Sequence, residues 1–151
     1  LAMILASLGF IVSLALLNVD AFIVGENVQR ELRGDANKSL TQGRVDLDAQ
    51  YFLDLSDDAV PALAKAFQNK FLPTVVHEKV GAALFCKRYQ RQQDVQKYPW
   101  QSFHFSRWIA DKTFGEIKDG LDAYKVTNTQ WPVKINTPSG TEFSCFQYSS
   151  D

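Results

Sequence analysis

The side chains able to do chemistry in this chain are scattered. Five carboxylates, Asp46, Asp48, Asp54, Asp57 and Asp58, fall in a short stretch with no basic residue among them. Paired carboxylates can hold a metal or act as acid and base. Here no glycine-bearing calcium loop accompanies them, and Asp57 and Asp58 stand where a helix start attracts negative charge, so capping is the expected role. His77 and His104 are far apart and form no His-x-x-x-His pattern, so neither a metal nor a cofactor is expected. Cys86 lies among Ala83, Leu84 and Phe85, where a small buried thiol is the ordinary reading. With Cys145 it makes only two cysteines, too few for a disulfide framework; they either stay free or form one bridge. Ser56 and Ser106 lack the Gly-x-Ser-x-Gly turn, and there is no glycine-rich phosphate loop. These residues point away from an enzyme.

The polar residues Asn18, Asp20, Asn27, Arg30, Asp48, Trp100 and Arg107 fit a different task. Partly buried polar groups must be hydrogen-bonded, and the arginine fork can hold carboxylates and helix-end carbonyls together. They are expected to fasten helices, with Arg107 tied to an acidic side chain or to carbonyls. The alternative use is a binding pocket for a small anionic ligand, with Arg30, Trp100 and Arg107 as the candidate residues.

Elements must position these groups. From Leu1 to Leu17 no residue is charged, which reads as the end of a transmembrane helix. At about 1.5 Å per residue the run covers roughly 25 Å against a hydrocarbon core of ~30 Å, so the full helix is expected to begin upstream. Residues 18–151 are expected to form one soluble, mainly helical domain. Asn18 should cap an amphipathic helix with Phe22, Ile23, Val28 and Leu32 on one face, stopped by Gly34. Asp35–Arg44 reads as a loop. Helical spacing resumes from Asp46 to Leu55 through Leu47, Tyr51 and Leu55. Ser56 starts a helix that tolerates Pro61 and runs to about Asn69. Another begins at Pro73-Thr74 with Val76, Val80, Ala83, Leu84 and Tyr89 inward, fading into a solvated run Gln90–Gln96. Helical spacing from Phe103 to Tyr124, broken near Gly115, precedes a C-terminal β-hairpin whose arms, Gln130–Asn136 and Glu142–Tyr148, flank Thr137-Pro138-Ser139-Gly140.

Three segments together resemble bacterial integral membrane proteins grouped as domain of unknown function 4173, with a sibling group 4153. They are Asn18-Val19-Asp20-Ala21-Phe22-Ile23 with Glu26-Asn27-Val28-Gln29-Arg30, Leu47-Asp48 with Tyr51-Phe52-Leu53 and Leu55 to Leu63, and Tyr98-Pro99-Trp100-Gln101-Ser102-Phe103-His104-Phe105-Ser106-Arg107. Val19 stands where proline is frequent and His104 where asparagine is usual. The resemblance implies a multi-span protein with this segment as its soluble tail, and no known activity.

The functional expectation is therefore a non-enzymatic accessory, sensory or partner-binding module at a membrane surface. Its expected partners are the lipid bilayer, its own upstream transmembrane helices, and a protein or small anionic ligand. The alternatives are the tail of an enzyme or transporter whose working groups lie in upstream spans, or a purely structural lid. A formal charge of -1 argues against a nucleic-acid partner. After the apolar run only Arg30 and Arg33 are basic, against Asp20, Glu26, Glu31 and Asp35. No positive-inside excess holds that end in the cytoplasm, so the domain is expected to be extracytoplasmic at the bacterial cell membrane.

Overall fold

The computed structural model describes residues 2–16, 18–36, 48–94 and 105–145. Trp100, His104, Asp46 and the 146–148 end of the expected hairpin arm lie outside them.

The first helix, α1 (Ala2–Leu16), is apolar throughout, and every side chain described in it, Met3 to Phe10, is exposed. No helix among the described residues is long and apolar enough to cross a membrane. The 15 residues of α1 span about 22 Å, short of the ~30 Å needed. By itself α1 is therefore too short to cross the hydrocarbon core.

Asn18 starts the next helix, α2 (Val19–Ala36), as its type predicts: its Oδ1 accepts from Ala21 N at 2.9 Å. Gly34 does not stop it, because a helical glycine costs only about 1 kcal/mol and ends a helix only where a left-handed turn follows. The expected inward face holds at Val28 and Leu32, with Ile23 half-buried, but not at Phe22. Val24 and Val28 are buried, with Leu32 packed beside them, whereas Phe22 is exposed. Of the expected helix over Asp46–Leu55, the described residues from Asp48 on form one helical turn, α3 (Tyr51–Asp54), which buries Phe52 and Leu53 and leaves Tyr51 exposed.

Ser56 then caps a 3₁₀ turn (Asp57–Ala59), accepting from Asp58 N at 3.3 Å, and this leads into α4 (Val60–Phe67) with Pro61 in its first turn. The central element is α5 (Thr74–Asp94), buried continuously from Val80 to Lys87. It packs on α3 and α4, while α4 also receives α2. The break expected near Gly115 falls at Ile117, between α6 (Phe105–Glu116) and α7 (Lys118–Leu121).

The β region is larger than a hairpin. Strand β1 (Lys125–Asn128) pairs antiparallel with β2 (Lys134–Asn136), which pairs with β3 (Glu142–Ser144). Ile135, fully buried in β2, faces Val126 and Phe143 across the two ladders. Gly140, with φ 88°, makes the turn between β2 and β3.

Gly81 marks the tightest packing. A Cβ there would collide with the Tyr124 hydroxyl and stand 2.7 Å from Phe67 Cε2. Alanine gains about 1 kcal/mol of helix propensity, but two buried rings cannot both retreat. Gly81→Ala is expected to lose about 1–2 kcal/mol in urea unfolding through overpacking. Gly25→Ala, which meets nothing within 4 Å, is expected to gain up to about 1 kcal/mol.

Candidate functional site

The polar residues converge on the segment from Leu53 to Asp58, where α3 ends and the 3₁₀ turn begins. This segment has no regular ladder of its own, so its amides and carbonyls must find partners elsewhere. From α2, the Asp20 carboxylate accepts from both Ser56 N, at 2.9 Å, and Ser56 Oγ. Asn18 Nδ2 donates to Asp58 O at 3.0 Å. Lys87 of α5 donates from Nζ to Leu53 O at 3.2 Å and to Leu55 O. Only 8% exposed, Lys87 loses hydration, and this burial lowers its pKa against the opposing pull of Asp57, Asp20 and Asp54.

One turn further along α5, Arg91 joins three elements. Nη1 donates to Asp57 Oδ2 at 2.6 Å, Nε to Asp111 Oδ1 at 2.5 Å, and Nη2 to Asp111 Oδ2 at 3.0 Å and Arg107 O at 2.8 Å. The hydrogen bond to Asp111 raises its pKa most, against burial and with help from Asp57. Four hydrogen bonds occupy most of a guanidinium's five N–H donors. Arg91 is therefore a fastener of the 3₁₀ turn to α6, not a hand held out to a ligand.

Arg107 lies with Nε 3.9 Å from Asp57 Oδ2, the acidic partner its sequence position called for. Arg30 is exposed on α2, about 18 Å along that helix from Asn18, so it is not brought to Arg107. Trp100, the third candidate, is outside the described residues. Asp48 Oδ1 accepts from Gln50 N at 3.0 Å in the turn that leads into α3, and Asn27 donates to Ile23 O at 3.0 Å within α2.

The cysteines are bridged: Cys86 of α5 and Cys145 after β3 form a disulfide with Cα atoms 5.2 Å apart, both sulfurs in buried residues. The ring of His77 stacks on Phe67 at 4.5 Å. Neither is arranged as a nucleophile with its base. Among the described residues no group of three or more His, Cys, Asp or Glu could hold a metal. An open groove of about 320 Å³ beside Arg91 is lined by Arg88, Gln92, Asp111, Phe114 and Lys118.

Sequence reading missed Lys87, just before the run Gln90–Gln96 that was expected to be solvated, and Arg91 within it. A signal was present: Val80, Leu84, Lys87 and Arg91 continue one helical stripe, so the two cations extend the inward face.

No curated protein and no solved structure matches the chain. A family model described as Domain of unknown function (DUF4153), the sibling of the two groups named above, matches residues 1–66, which contain Asn18, Asp20, Ser56 and Asp57 but neither the α5 cations nor the disulfide.

Proposed function

We propose that this chain is the membrane-anchored, extracytoplasmic accessory domain of a bacterial integral membrane protein, acting by binding rather than by catalysis. The observation that carries this reading is α1, whose described side chains, apolar apart from Ser7, are all exposed, with Met3 at 88% and Phe10 at 65%. An apolar surface of this kind is unstable in water and calls for lipid or for neighbouring helices. The resemblance to group 4173 favours the same arrangement, and the disulfide favours an oxidising exterior.

The polar groups support the non-catalytic part, since they are engaged with one another. A protein partner or a small anion remains the proposed cargo, and the groove beside Arg91, with Arg88 and Lys118 on its wall, offers cations for the latter.

Flotation with phosphatidylcholine and phosphatidylglycerol vesicles tests the anchor. The chain is expected to rise with the lipid, and the Ile4→Asn, Leu5→Asn, Leu8→Asn variant to stay behind. Equal flotation of both, or of neither, would contradict the proposal.

A further inference from the structure

The 3₁₀ turn is also a meeting point for apolar surface. Asn18, at the junction of α1 and α2, is bonded to Asp58 on one side of it. On the other, the first turn of α6 is drawn in through Arg91, which holds both Asp57 and Arg107 O. Each of these two helix starts carries large apolar side chains that are more than half exposed. On α2 they are Val19 and Phe22, 56% and 65% exposed. On α6 they are Phe105 and Trp108, 65% and 51% exposed, stacked with ring centroids 5.8 Å apart.

Position along each helix matters. Beyond Phe22 the exposed stripe of α2 turns polar at Glu26, Gln29 and Arg30, and beyond Trp108 that of α6 turns to Asp111 and Lys112. The apolar groups are thus confined to the first turns, at the two helix ends bonded to the 3₁₀ turn. Tryptophan and phenylalanine with a lysine one turn behind are the chemistry of the bilayer interface, where an amphipathic ring sits at headgroup depth and a cation meets lipid phosphate.

We propose that Phe105 and Trp108 form a second membrane contact, seated in the headgroup layer of the bilayer that takes α1, with Lys112 toward the phosphates. The proposal rests on the α1 reading above. It makes α6 a prop that fixes the tilt of the folded domain against the membrane, through the same 3₁₀ turn that Asn18 and Arg91 hold.

The test is quenching of tryptophan by brominated phosphatidylcholine in vesicles that also contain phosphatidylglycerol. In the Trp100→Phe, Trp131→Phe chain, Trp108 is the sole emitter. A second chain, Trp100→Phe with Trp108→Phe, leaves Trp131, which is as exposed as Trp108 (64% against 51%) but belongs to the β1–β2 connection. The Trp108→Phe chain, compared with the unsubstituted one, gives the Trp108 signal by difference if either double variant folds poorly. The expected result is flotation of the chain with Trp108 emission at least halved and Trp131 little changed. Flotation with Trp108 unquenched, as a second copy or a protein partner over the pair would give, overturns this proposal and leaves the α1 anchor standing. So does equal quenching of both tryptophans, the mark of general adsorption. Failure to float overturns both.

Discussion

Replacing Cys86 and Cys145 together by alanine is expected to lower the stability of the folded domain by about 4 kcal/mol. The bridge closes a chain segment of 59 residues, and a cross-link over a loop of that size removes roughly this much free energy from the unfolded ensemble through lost chain entropy. Gln50 Nε2 donates to Ser144 O at 2.9 Å, and the Ser139 hydroxyl donates to the Glu78 carboxylate, both at exposed positions. Urea unfolding of the alanine pair, and of the unsubstituted chain before and after reduction, measures the effect. A loss below about 1 kcal/mol would mean that the sheet holds to α5 by packing alone.

The second large effect is expected at Arg91. Arg91→Ala removes four hydrogen bonds and leaves the longer Arg107–Asp57 ion pair, at 3.9 Å, between α6 and the 3₁₀ turn. Bonds to charged groups contribute about 1.5–3 kcal/mol when shielded, and the Arg91 side chain is only 16% exposed. Asp111 is 62% exposed and can return to water, and Asp57 keeps Arg107 nearby, so the four losses do not add. A net loss of about 2–3 kcal/mol is the expectation. Arg88→Ala supplies the contrast. Its partner Asp122 is half-exposed at 3.1 Å, and such surface pairs contribute at most about 1 kcal/mol. Equal effects at Arg88 and Arg91 in urea unfolding would contradict the hub.

The features that were legible in the sequence share a cause. The Asn18 cap, the Ser56 start, the restart at Pro73, the break near Gly115 and the turn ending at Gly140 all depend on chemistry within a few residues. The unbroken apolar run of α1 is likewise local. What escaped was set by distant partners. Arg91 finds Asp57 and Asp111 at separations of 34 and 20 residues, which no periodicity reveals. The pairing of the cysteines stayed open for the same reason, because nothing between Cys86 and Cys145 states their distance in space. Strand β1 was missed because it is defined by its ladder to β2, and its alternation over four residues is too short to stand out. Phe22 was misplaced by the opposite error, in which a large apolar residue was assumed to face inward. Val24 takes that place beside the expected Val28, and Phe22 is left on the surface.

The claim that the folded domain stands outside the membrane that α1 enters has one direct test. Gln92 is exposed on α5, and with Cys86 and Cys145 joined, a cysteine introduced there is the single free thiol of the chain. Cells producing the Gln92→Cys protein, converted to spheroplasts, are treated with a membrane-impermeant maleimide before and after lysis. Immediate labelling in intact spheroplasts is expected, whereas protection until the membrane is broken would place the domain in the cytoplasm and contradict the reading.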